Sequence, residues 1–94
     1  MKYRIYQPKE INFLVDENQV HYFKKDYKLT YKGEVNEKLA QEKSNTILEA
    51  LFTVFNTARP EDFKGHSLST NDIVELDDNA WVCTPFGWNK INLV

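Results

Sequence analysis

The chain has 94 residues but only one cysteine, three glycines and three prolines. A lone Cys83 excludes an intramolecular disulfide and suits a reducing compartment, where it packs as a small apolar residue. Gly33, Gly65 and Gly87 are isolated from one another, which leaves no glycine-rich loop to cradle a phosphate. Pro8, Pro60 and Pro85 are equally scattered, so there is no proline-rich linker, and no internal repeat or low-complexity tract is present. No apolar run approaches the roughly 18 residues of a membrane helix, and Met1 to Tyr6 lacks a signal-peptide core. The expectation is a cytoplasmic protein with no membrane partner. His21, His66 and Cys83 include no close ligand pair of the Cys-x-x-Cys or His-x-x-x-His kind, so neither a metal nor another cofactor is expected.

What is present is enough for one core. An apolar fraction of 41% and an aromatic fraction of 14% suit a single globular domain spanning residues 1–94. The net charge of −2 announces neither a nucleic-acid binder nor a nucleic-acid mimic. Its distribution is more telling. Residues 1–43 carry nine Lys or Arg against seven acids, whereas residues 61–94 carry Lys64 and Lys90 against Glu61, Asp62, Asp72, Glu75, Asp77 and Asp78. Such polarity fits docking on a charged protein partner.

Lys2 to Gln7 alternates, with Tyr3 and Ile5 opposite Lys2, Arg4 and Tyr6, and reads as a strand that Pro8 ends. Ile11 to Phe23 reads as two short strands around Asp16-Glu17-Asn18, or as a loop with one helical turn; the hairpin is favoured. Tyr27 to Glu34 is a strand, with Tyr27, Leu29 and Tyr31 set against Lys28, Thr30 and Lys32. Glu34 to Asn45 reads as an exposed loop or a frayed helical turn. Thr46 to Glu49 fits a capping box, and Ile47, Leu48, Leu51, Phe52, Val54 and Phe55 make an apolar stripe. The helix is expected over about 46–57, ending before Pro60. Asp72 to Leu76, Ala80 to Thr84 and Gly87 to Leu93 are three strands joined by tight turns, an antiparallel meander. The fold expected is α+β: a curved antiparallel sheet of about five to seven short strands with one packed helix.

His66, Ser67, Ser69 and Asp72 supply the residue types of a hydrolase triad, but within seven positions, whereas nucleophile, base and acid normally converge from separated segments. Ser69-Thr70-Asn71-Asp72 reads better as a turn whose side chains bond local amides. Lys2, Arg4, Lys24, Lys25, Lys28 and Lys32 are the candidate nucleic-acid contacts, with a basic face of Lys28 and Lys32 joined by Lys2 and Arg4 if the strands pair. Phe86 and Trp88, with Trp81 and the acidic turn Asp77-Asp78, are the candidate protein-binding residues, because a turn-tip aromatic pair is a common interface anchor.

The stretches "YRIYQ", "FNTARPEDFKGHSLSTNDIVELDD" and "WVCTPFGWNKI" resemble the YodL-like domain of Gram-positive bacteria and their mobile elements. The residues that carry the resemblance include Pro60, Asp62, Phe63, Gly65, His66, Ser67, Ser69, Asp72 and Gly87. The resemblance implies a small accessory protein of a conjugative element, plasmid or phage-derived region. It brings no established enzymatic activity or cofactor, and a structural role for the Gly65 to Ser69 motif. The expected function is therefore non-enzymatic protein–protein interaction, with nucleic-acid binding through residues 2–32 as the alternative.

Overall fold

The structure, a computed structural model, describes residues 1–10 and 19–94. Six strands form one sheet in the order β2-β6-β5-β4-β1-β3. In chain order they are β1 (Lys2–Pro8), β2 (His21–Tyr22), β3 (Tyr27–Glu34), β4 (Ile73–Leu76), β5 (Asn79–Thr84) and β6 (Gly87–Leu93), with helices α1 (Glu37–Ala40) and α2 (Ser44–Thr57) between β3 and β4.

β1 lies inside the sheet, antiparallel to both β3 and β4, and β4 to β6 form the expected meander. One pair departs from the antiparallel expectation, because β2 runs parallel to β6. The physical reason is closure. β2 and β3 are consecutive in the chain yet sit at opposite edges of the sheet, joined by a 3₁₀ turn over Lys24–Asp26. A link that short forces the sheet to curl until its edges approach. Lys24 N–H donates to the Val94 carbonyl at 2.7 Å, and the Tyr22 and Tyr27 rings meet edge-on at 6.4 Å. The hairpin expected around Asp16-Glu17-Asn18 lies outside the described residues.

Strand alternation then gives the sheet two buried faces. Tyr3, Ile5, Val74 and Leu76 face α2 and its buried stripe of Ile47, Leu48, Leu51 and Phe55. Tyr6, Tyr22, Tyr27, Ile73, Ala80, Val82 and Ile91 fill the inside of the curl. Phe55 is fully buried among the rings of Phe63, Tyr31 and Tyr3 at 4.9, 5.3 and 6.2 Å. Burial of an aliphatic or aromatic side chain of this kind contributes about 1.5–3 kcal/mol. Burial pushes the Tyr3 hydroxyl up to about 12, with Tyr31 and Asp62 adding to the shift.

Two local expectations needed correction. The expected capping box is not formed: α2 starts at Ser44 with Lys43 as an N-cap that makes no side-chain bond. The chain is already turned there by α1, the helical turn foreseen between Glu34 and Asn45, whose Leu39 N–H is accepted by Asn36 Oδ1 at 2.8 Å. β3 also breaks its alternation. Tyr31 pairs with Ile5 and Leu29 with Tyr6, which leaves Thr30 as a bulge whose hydroxyl donates to the Ile5 carbonyl at 3.3 Å. Residues paired across strands share a face. Tyr27 and Leu29 therefore go with Lys32 on the Tyr6 face, and Lys28 goes with Tyr31 on the Ile5 face.

Candidate functional site

Two neighbouring features offer chemistry. The first is the β5–β6 hairpin. Pro85 fixes one turn dihedral, and Gly87 takes φ +136°, a conformation side chains disfavour. The Thr84 hydroxyl accepts the Phe86 N–H at 3.2 Å and donates to the Gly87 carbonyl at 3.1 Å. These restraints hold Phe86 97% exposed. Beside it Trp88 meets Phe52 of α2 edge-on at 6.4 Å. Between α2 and the hairpin lies a groove of about 510 Å³ whose walls include Glu49, Phe52, Leu68, Cys83 and Trp88. Burial pushes the Cys83 thiol up to about 11, which favours the protonated thiol, and the residue forms part of the groove wall.

The second is a buried polar latch. Gln7 follows Tyr3 and Ile5 on the helix-facing side of β1 and is only 2% exposed. Its Nε2 donates to the His66 carbonyl at 2.9 Å and to Asp72 Oδ2 at 3.0 Å. Asp72 Oδ2 also accepts the Ser69 N–H at 2.9 Å, which is the local turn bond that the sequence pattern suggests. Both Gln7 hydrogens are thus engaged, so His66 Nδ1, 3.2 Å from Gln7 Nε2, carries the proton and donates to the Ser67 carbonyl at 2.8 Å. Asp72 itself is 1% exposed. Burial raises its carboxyl above the usual range, and the bonds from Gln7 and Ser69 and the nearby His66 oppose that shift. A cleft of about 460 Å³ lined by Lys9, Glu10, His66, Ser69, Thr70 and Asp72 opens beside the latch. The acid-on-imidazole bond of a catalytic triad is not formed, because the His66 Nδ1–H goes to a carbonyl.

The family model for the YodL-like domain matches residues 2–93. The chain belongs to the YodL-like domain family. No curated protein and no solved structure matches it.

Within this YodL-like domain the motif residues from Pro60 to Asp72 are distributed along the loop that returns from α2 to β4, and Gly87 sits in the β5–β6 hairpin. The Pro60 carbonyl accepts the Phe63 N–H at 3.1 Å, and Phe63 packs on Phe55. Asp62 sits beside the Tyr31 hydroxyl and, with desolvation as the larger cause, raises its pKa. A Cβ on residue 65 would fall on Gln7 Oε1, so any larger residue there would displace the Gln7 amide.

The five residues expected to form a protein-binding patch are split. Phe86 and Trp88 share the groove, and Trp81 packs, half-buried, against the helix-side core. Asp77 and Asp78 cap the other end of β5, roughly 20 Å away at the usual rise per strand residue. Asp77 works there as a clamp: its Oδ1 accepts the Lys2 N–H at 3.0 Å and its own N–H donates to the Lys2 carbonyl at 2.9 Å.

The expected basic face is only partly assembled. The strands pair as expected and set Lys32 opposite Arg4 on the face that Lys2 shares, but Lys28 lies on the opposite face because of the bulge, Arg4 pairs with Glu75 at 3.2 Å, and Lys2 stands opposite Glu34. Lys24 and Lys25 lie on the 3₁₀ turn, where Lys25 Nζ sits 5.7 Å from the centre of the Phe23 ring.

Gln7 and Glu10 are the site residues that sequence reasoning missed. For Gln7 a signal existed, since it is the polar member of the Tyr3-Ile5-Gln7 row and a polar residue on a buried row needs partners.

Proposed function

We propose that this YodL-like domain is a non-enzymatic binding module that docks a protein partner through the Phe86 hairpin and the groove beside it. The setting would be the cytoplasm of a Gram-positive bacterium, as an accessory protein of a mobile element or phage-derived region, which is what the family resemblance implies. The observation that carries the docking reading is the hairpin itself. A phenyl ring left 97% exposed costs solvation, and here Pro85, Gly87 and the Thr84 hydroxyl all hold it outward next to an aromatic-walled groove. Preorganised aromatic anchors of this kind lose little conformational entropy on binding. The occupant would be a chain segment with an apolar side chain to fill the groove. Basic groups would suit the acidic balance of residues 61–94 and Glu49 in the groove wall.

The test is capture from host lysate with the wild-type domain and with Phe86→Ala. The expected result is a protein retained by the first and lost by the second, whose purified form shifts the amides of residues 84–88 in an NMR titration. Equal capture by both variants would overturn the reading. So would self-association of the purified chain that depends on Phe86, because the occupant would then be a second copy.

A further inference from the structure

The groove that the Phe86 hairpin borders has one charged wall. Among the described residues that line it, Glu49 alone carries a charge, and no lysine or arginine is present. Glu49 is exposed on α2, and its carboxylate has no hydrogen-bond or ion-pair partner among the described residues. The groove therefore offers an accessible negative charge that nothing within it offsets. A solvated carboxylate is ordinary by itself; what stands beside this one is not.

Phe52 follows Glu49 by three positions, so the two side chains lie on one face of α2. The Phe52 and Trp88 rings meet with their planes at 84° and their centroids 6.4 Å apart. Both are half-buried and both line the groove, so part of each ring is open to it. Phe86, 97% exposed, borders the same space. Aromatic faces carry partial negative charge and attract cations laid over them. Two rings near a right angle, a third at the rim and a free carboxylate one helical turn away thus make a site for an organic cation.

We infer that this groove receives the alkylammonium side chain of a lysine on the docked partner segment. The four-carbon stem packs along Phe52 and Leu68, and the ammonium lies beside Glu49 and the ring faces. The apolar body that fills the groove is then in part the lysine's own stem. A wholly apolar side chain would desolvate Glu49 without a counter-charge. A guanidinium suits the groove less, because its five donors would meet a single carboxylate. The volume, about 510 Å³, lies within the range of small-ligand sites. The inference rests on the docking reading for the carrier of the lysine, and the cation site itself is testable alone.

The probe is Nα-acetyl-lysine N-methylamide, titrated into the labelled full chain at low salt and followed by amide shifts and by the Trp88 indole N–H. Saturable shifts are expected on Glu49, Phe52 and Trp88, with a Kd of about ten millimolar. The Nε-acetylated probe keeps the stem and loses the charge, and it should bind at least about fivefold more weakly. Glu49→Gln, an exposed change, should weaken binding about threefold, and Phe52→Leu, which keeps the carboxylate, by a similar factor. Asp78→Asn, which removes one negative charge at the far end of β5, should leave it unchanged. Shifts that do not saturate, that the Nε-acetylated probe reproduces, or that survive both Glu49→Gln and Phe52→Leu would overturn the inference. Much tighter binding of capped arginine would overturn lysine as the occupant. So would much tighter binding of capped trimethyl-lysine, which would make the ligand a quaternary ammonium. Failure here alongside Phe86-dependent capture would strike the lysine and leave the docking reading standing. Lysine binding alongside Phe86-independent capture would strike the docking reading and leave the cation site.

Discussion

Two segments meet at Ser69 and Thr70, and they treat solvent in opposite ways. The loop over residues 65–72 carries an acid that sequence rules place outside, and the fold draws it in until 1% of it is exposed. The hairpin over residues 84–88 carries a phenylalanine that the same rules place inside, and the fold holds it 97% exposed. The loop compensates its buried carboxylate with two hydrogen bonds, from Gln7 on β1 and from the Ser69 amide, and its backbone is tied to β5, where Cys83 N–H donates to the Asp72 main-chain carbonyl at 2.8 Å. Among the described residues the exposed ring has no such compensation. The hairpin's restraints fix the turn backbone and leave the ring with no cover. The asymmetry suggests that the latch serves stability, and that the hairpin serves something outside the molecule.

The largest break in that comparison should come from Asp72→Ala. The substitution removes the acceptor of Gln7 Nε2 and Ser69 N–H in a buried site, and orphaned buried donors cost about 1–3 kcal/mol each. Because Gln7 also tethers His66, detachment of the whole loop from β1 should follow. A loss of about 2–4 kcal/mol in denaturant unfolding is expected. A loss below about half a kcal/mol would mean that the latch is ornamental to the fold.

Asp72→Asn sharpens the same point through pH. Burial holds the Asp72 carboxyl above its ordinary value in the folded state. The folded chain therefore binds that proton more tightly than the unfolded chain does. The stabilisation from the neutral acid is complete below the unfolded value of 3.8 and is lost as pH rises through the higher folded value. Asparagine keeps an oxygen for Gln7 and Ser69 but cannot titrate. The wild-type advantage over Asp72→Asn should therefore shrink as pH rises from near 4 towards neutrality, read from unfolding midpoints. An advantage that grows with pH would show that the two hydrogen bonds outweigh desolvation.

How much of this the sequence announces depends on the range of the interactions. The β1 alternation, the β4 to β6 meander and the apolar stripe of α2 are legible because they are periodic and local. The Ser69 to Asp72 turn is legible for the same reason. The bulge at Thr30 is not, since a bulge is a property of two strands in register and β1 lies 25 positions from its contact there. The latch spans 65 positions between Gln7 and Asp72, and no local pattern links the two. The parallel β2–β6 pair depends on closure of the whole sheet. Trp81, Trp88 and Phe86 look alike in the sequence, and only their places on β5, on β6 and at the turn separate the core-packed ring from the groove wall and from the exposed tip.

The smallest expected effect falls on the other side of the comparison. Phe86→Ala removes a ring that touches almost nothing in its own chain, so the folded state has few contacts to lose. The backbone restraints at Pro85, Gly87 and the Thr84 hydroxyl remain. Its stability should stay within about half a kcal/mol of wild type, as for other surface substitutions, and could rise if the exposed ring is a net cost. A drop of about 2 kcal/mol or more would mean that the ring packs somewhere in its own chain, and the case for an outside partner would go with it. A silent substitution that nevertheless abolishes capture of a partner would separate the two segments by function: one holds the domain together, and the other exists for contact.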